Sequence, residues 1–205
     1  MERYLITQTL LSSWAYVFNC RDECAEDAMA DFLRTLNREK TEATEAMLDG
    51  IAFENEVYKA ASGIARQPHE KWERGIQAVA TALRGAQTQV KAQRDMDAHG
   101  MKFLVYGILD GLRAGVIFDV KKKSKSFGSL DLAGDYLDSA QHPAYFYIVP
   151  EAYEFRYLVS DGQDLYVETY RPEECRPFPD IVDEFITSIE SLGLLPLYKE
   201  KWAAK

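Results

Sequence analysis

A chain of 205 residues, 47% hydrophobic and 12% aromatic, is large enough for one domain with a substantial core, which excludes a disordered polypeptide. A formal net charge of −9, from 33 acidic against 24 basic residues, argues against binding nucleic acid over the whole surface but leaves a local groove open. No apolar run approaches the roughly 18 residues of a membrane-spanning helix, and the N-terminal stretch shows no cleavable leader, so a soluble cytoplasmic protein with no membrane partner is expected.

Residues 7–19 place Leu10, Leu11, Trp14, Tyr16, Val17 and Phe18 at helical spacing behind Thr7 or Thr9 as cap. A second helix is expected over 23–36, and the polar stretch 37–44 reads as a loop. Cys20 and Cys24 could open an iron–sulfur or metal site, but with Cys175 the chain is one cysteine short of a four-thiolate cluster, and free thiols in a reducing compartment are the simpler reading.

The helix expected over 45–63 carries Glu54 with Gly50, Ile51, Val57 and Tyr58 as neighbours three or four residues away, on or beside the apolar face. A carboxylate there either finds a partner or sits at the boundary with its head in water. A further amphipathic helix is expected over 69–94, with Trp72, Ile76, Val79, Ala80 and Leu83 inward; Asp97, His99 and Gly100 then break the chain.

Chemistry concentrates in 106–123. Two apolar, β-rich runs meet at Arg113-Ala114-Gly115, which predicts a hairpin. A two-residue loop pairs Arg113 with Val116 and sets Asp110 opposite Asp119; a three-residue loop sets Asp110 opposite Phe118 instead. Alternation puts Asp119 and Lys121 on one face, with Val116, Phe118 and Val120 on the other. Facing carboxylates destabilise a strand pair by roughly 0.2–1 kcal/mol, whereas clustered hard oxygens with an adjacent ammonium suit Mg²⁺ or Mn²⁺ and a developing phosphorane charge. An ordinary hairpin with one solvated polar face remains the plain alternative. Lys121, Lys122, Lys123 and Lys125 form the densest basic cluster, which is either a local anion-binding patch or a solvated strand end.

After a loop at 124–128, a helix is expected over 130–140. Gln141-His-Pro-Ala-Tyr145 continues it or restarts a helix near Gln141 with Pro143 in its first turn. Strands at 154–159 and 165–170 flank an Asp161-Gly162 turn, a final helix spans 181–192, and the tail from 196 to 205 reads as peripheral. The order predicts a single α/β (α+β) domain, with residues 1–100 mainly helical and a sheet-containing core over 101–192.

Gly50-Ile-Ala-Phe-Glu54, Gly107-Ile-Leu-Asp110, Ile117-Phe-Asp-Val-Lys121 and Gln141-His-Pro-Ala-Tyr145, in this order, resemble the PD-(D/E)xK nuclease superfamily, most closely its RecB-like exonuclease branch of phage and CRISPR-associated nucleases. The match covers roughly residues 50 to 170, and departs from the branch in having Glu54 where many relatives have histidine, Pro143 inside the Gln–Tyr motif, and an incomplete cysteine cluster. The resemblance implies a restriction-endonuclease-like central mixed sheet flanked by helices. It implies that Glu54, Asp110, Asp119 and the Val120 carbonyl ligate Mg²⁺ or Mn²⁺, and that Lys121 positions the nucleophilic water. Gln141 and Tyr145 look like the branch's Gln-x-x-x-Tyr pair, which contacts DNA or phosphate and orders the lysine.

The function expected is metal-dependent hydrolysis of DNA, in a phage or DNA repair setting. Substrate affinity would come from the metal and from Arg113, Lys122, Lys123 and Lys125. No helicase motif is present, so unwinding would fall to a helicase, recombinase or phage protein partner. The rivals are a catalytically silent nuclease fold used for DNA binding or protein assembly, and a small-molecule or protein-binding domain with solvated aspartates. His69, His99 and His142 offer no close pair for zinc and are given no role.

Overall fold

The computed structural model describes residues 2–129 and 132–204. In chain order they form β1 (Arg3–Thr7), α1 (Gln8–Asn19), α2 (Ala25–Leu36), α3 (Glu45–Ala61), α4 (Glu73–Ala82), β2 (Gln87–Ala98), β3 (Met101–Arg113), β4 (Val116–Lys122), α5 (Gln141–Ile148), β5 (Glu154–Ser160), β6 (Leu165–Tyr170), α6 (Phe178–Ser191) and α7 (Leu195–Lys201). The six strands build one mixed sheet in the order β1-β3-β4-β5-β6, with β2 also paired to β3. β1 with β3 and β4 with β5 are parallel, and the other pairs are antiparallel.

Helices cover both faces, sorted by the alternation along β4. Val116, Phe118 and Val120 pack with Phe53 and Val57 of α3 and Ile76 and Val79 of α4. Ile117 faces the other way, into a larger core with Leu10 of α1, Phe32 of α2, Phe146 of α5, Phe185 of α6 and Tyr198 of α7. Each fully buried side chain of this kind contributes roughly 1.5–3 kcal/mol relative to exposure.

The feature that positions the site is a division along one edge of β3. β2 occupies the other edge along nearly all of β3, so β1 and β4 share this one: β1 at Lys102–Tyr106 and β4 at Gly111–Arg113. Residues 107–110 between them have no strand on that side. Tyr145 of α5 fills part of the opening: its hydroxyl donates to the Ile108 carbonyl at 2.9 Å, and its ring lies so close to Gly107 that any Cβ there would collide with it.

The hairpin has the two-residue loop, with Arg113 paired to Val116 and positive φ at Ala114 and Gly115. Thr7 caps α1 by accepting from the Leu10 N–H, and Thr44 caps α3 by accepting from that of Met47. α5 starts at Gln141 with Pro143 in its first turn, where the missing N–H costs nothing.

Three expectations fail. The helix expected over 69–94 ends at Ala82; Gly85, at φ +77°, turns the chain, and 87–98 is β2. The Lys, Gln and Arg of β2 suit a helix by propensity, and pairing along β3 overrides them. Residues 1–100 therefore contribute two strands besides α1–α4, among the described residues. Of the helix expected over 130–140, Leu130 and Asp131 lie outside the described residues, and 133–138 are turns around Gly134 at φ +81°. Finally, the tail is not peripheral. Tyr198 and Trp202 are buried, the Tyr198 hydroxyl donates to the Leu5 carbonyl, the Trp202 indole N–H donates to that of Leu36, and Tyr4 bridges to Ala203. Trp202 is thus a core residue, not a free interface anchor.

Candidate active site

Register set by Arg113↔Val116 would place Asp110 opposite Asp119, but the main-chain ladder stops at Gly111↔Phe118. Beyond it Asp110 Oδ2 accepts the Val120 N–H at 2.8 Å, so a carboxylate replaces a backbone carbonyl and the strands separate at the aspartates. Asp119 is 3% exposed. Its Oδ1 accepts from the Gln141 side-chain amide. Its Oδ2 lies 2.7 Å from Lys121 Nζ, so the buried carboxylate is ion-paired on one oxygen and hydrogen-bonded to the amide on the other.

Glu54 approaches from α3. It shares a cleft of about 460 Å³ with Thr41, Met47, Ile51, Val120 and Lys121. Burial, and then the charges of Asp110 and Asp119, push its carboxyl up to about 7, against a smaller opposing pull from Lys121. Asp119 is also pushed up, first by burial and then by Asp110. Burial pulls the Lys121 ammonium down, but Asp119, Asp110 and Glu54 together more than reverse this and hold it charged. The site thus gathers three carboxyl groups around one ammonium, and two of them, Glu54 and Asp119, resist ionisation.

A pH dependence follows. Because the folded-state value of Glu54 lies above its ordinary 4.5, its contribution to stability is full below about pH 4.5 and is lost as pH rises through about 7. Metal-free melting temperatures should fall across that window, Glu54→Gln should flatten the fall, and a divalent cation should restore stability above pH 7. Thermal melts at a series of pH values, with and without Mn²⁺, measure all three.

The donor chemistry fits a hard dication. Three carboxylates and the Val120 carbonyl are all hard oxygen donors, and Asp119 Oδ2 already holds one cation, the Lys121 ammonium. The cage is not drawn together: among the described residues no three His, Cys, Asp or Glu side chains stand close enough to hold an ion. Lys121 lies on Asp119 instead, a monovalent charge at the ligand.

Gln141 and Tyr145, expected at the substrate, are 4% and 5% exposed and point inward, to Asp119 and to the Ile108 carbonyl. Their contact with DNA is not available in this arrangement; Gln141 acts on the lysine's partner. The expected basic patch is largely engaged. Lys122 donates to the carbonyls of Lys123 and Asp161 over the Trp72 ring, and Lys123 pairs with Asp135 at 2.9 Å. Arg113 is held at the hairpin tip on the Arg84 carbonyl and over Phe118, away from the carboxylates. Lys125 is exposed.

Two residues went unassigned in the sequence. Tyr58 lies one helical turn beyond Glu54, and Gln89 of β2 donates its amide to the Tyr58 hydroxyl at 2.9 Å and to Asp110 Oδ1 at 3.3 Å. Helical spacing from Glu54 could have nominated Tyr58; nothing in the sequence singles out Gln89. A larger cavity of about 810 Å³, between α1 and α6, is lined by Trp14, Phe18, Leu137 and Ile181, and its one arginine, Arg176, is paired with Glu184.

No family model matches the chain, and no curated protein matches its sequence. Among solved structures, SSO0001 superposes with a TM-score of 0.52 at 15% identity, over 94% of this chain and 78% of that one. LHK-Exo in complex with dAMP superposes with a TM-score of 0.52 at 13% identity, over 96% and 92%. At these identities the likeness is one of fold. Among the described residues no helix is long and apolar enough to cross a membrane.

Proposed function

We propose that this protein is a divalent-metal-dependent nuclease that hydrolyses DNA phosphodiester bonds from an end, in the manner of the RecB-like branch of the PD-(D/E)xK superfamily. The observation that carries the reading is the buried Asp119–Lys121 pair, with Asp110 and Glu54 acting on the same lysine, where β3 and β4 separate. The shared fold with LHK-Exo, an exonuclease whose structure holds dAMP, supports it.

Glu54, Asp110, Asp119 and the Val120 carbonyl would hold Mg²⁺ or Mn²⁺, which supplies, when bound, Lewis acidity toward the phosphate and a lowered pKa for bound water. Lys121, kept charged by its three acidic neighbours, stabilises negative charge building on the phosphate and orients the attacking water. Gln141 holds Asp119 in place from behind, through Oδ1. Met47 and Ile51, both more than half exposed on α3, form an apolar lip to the cleft against which a nucleobase can rest. Without a dication the acidic cluster repels a polyanion, so binding by the metal-free protein should be weak and salt-sensitive.

The silent-module alternative draws on one observation, the failure of three donors to stand within reach of a single ion. Incubating end-labelled linear and closed circular DNA, single- and double-stranded, with Mg²⁺ or Mn²⁺ decides between the two. Cleavage that needs the metal and spares circles establishes the exonuclease. No cleavage of any substrate, with or without metal, refutes it in favour of the silent module.

A further inference from the structure

We propose that Gln89 and Tyr58 are positioning residues that clamp Asp110 for metal binding, the counterpart on β2 and α3 of the hold that Gln141 has on Asp119. This rests on the nuclease reading above and extends it to residues outside the four motifs.

Gln89 stands near the start of a twelve-residue strand with φ +54°, a left-handed conformation that residues other than Gly, Asn and Asp seldom adopt. The conformation falls at one place in the ladder. Thr88↔Gly111 and Val90↔Leu109 are paired, and the intervening Gln89–Asp110 pair is skipped. β3 changes sides at the same point: Leu109 belongs to the larger core, while a Cβ on Gly111 would meet Leu83 and Phe118 of the smaller one. The register is the same on both sides, so no residue is inserted and the break is a local twist, whose left-handed position glycine would usually occupy.

Gln89 is exposed, so core packing does not demand its side chain. What glutamine adds over glycine is the amide, and the amide goes to Tyr58 and Asp110. The Tyr58 hydroxyl accepts from the same amide at 2.9 Å and so holds it on Asp110. Asp110 then receives the Val120 N–H on Oδ2 and the Gln89 amide on Oδ1, which fixes the carboxylate's rotation. A carboxylate held by neutral donors has its remaining lone pairs aimed in one direction, which is how outer groups orient a metal ligand.

Gln89→Gly keeps the left-handed backbone and removes only the amide; Tyr58→Phe keeps the ring and removes only the hydroxyl. Both are compared with the native chain by thermal melts over a Mn²⁺ titration, with the metal-free melts as the structural reference. The clamp requires that Gln89→Gly melt no lower than native without metal, and that each variant need about tenfold more Mn²⁺ for half of the stabilisation. An unchanged Mn²⁺ midpoint in both variants overturns the clamp and leaves the nuclease reading standing. A metal-free Gln89→Gly that melts well below native overturns it too, by assigning the residue to the fold. A native chain indifferent to Mn²⁺ removes the metal site and the clamp together.

Discussion

Asp119→Asn should abolish metal-dependent cleavage, by at least about 10³-fold, the upper range for losing one electrostatic group at a reacting centre, while the metal-free protein melts at or above the native temperature. The two halves have one cause. Asp119 is nearly inaccessible, and burial makes its charge costly, as the upward push on its carboxyl records. Asparagine has nearly the same shape and can still accept from Gln141 through its carbonyl. The lysine it abandons is not stranded, because the Lys121 side chain is 33% exposed and its ammonium can turn to water. Lys121→Met separates the roles: it should lower kcat by about 10²–10³ and leave KM within a few-fold, since the ammonium acts on charge that develops during the reaction. Cleavage kinetics of purified variants, beside their melting curves, measure both. An Asp119→Asn protein that cuts at the native rate would refute the site; one that unfolds would make Asp119 a structural ion pair.

Gln141→Ala should damage both stability and rate. Removing the amide leaves Asp119 Oδ1 buried with no donor, a loss of about 1–3 kcal/mol. Loss of the hold on a ligand should lower cleavage or metal affinity by about 10–100-fold. Gln141→Glu is the harsher change, because it sets a second acid against a carboxylate already resisting ionisation. Urea unfolding and a Mn²⁺ titration on the two variants test this. If Gln141→Ala is as stable as native, the amide does not satisfy Asp119 and its inward orientation is incidental.

What was legible in the sequence was what local chemistry decides. The hairpin's place follows from two apolar runs around Ala114-Gly115, its register being one of the two the loop allowed, and the opposed faces of β4 follow from alternation. The restart of α5 at Gln141 follows from what Pro143 permits. Glu54 was visible as an acid on an apolar stripe. What was hidden depends on partners distant in sequence. β2 carries helix-favouring residues and becomes a strand only because β3 offers it a long edge. The inward turn of Gln141 and Tyr145 needed the opening in β3 to be seen first, since the Ile108 carbonyl and a buried oxygen of Asp119 are what they satisfy. The capture of the lysines by Asp135 and by the Asp161 carbonyl is likewise a property of loops that carry no motif.

The stitching of β1 to the segment after α7 has a consequence for the order in which the molecule can assemble. Leu5 takes the Trp202 carbonyl at 2.7 Å and Ala204 takes that of Arg3 at 2.7 Å, contacts spanning nearly two hundred residues. Loop closure on that scale comes late and slowly, because its entropy must be met before the contact returns anything. During synthesis β1 emerges early and waits, one flank bare, until residues beyond 200 leave the ribosome. A bare strand flank is adhesive. Nascent or truncated chains lacking this segment should therefore be the ones that associate, and the rate at which the ends meet should set the yield of refolding at high protein concentration.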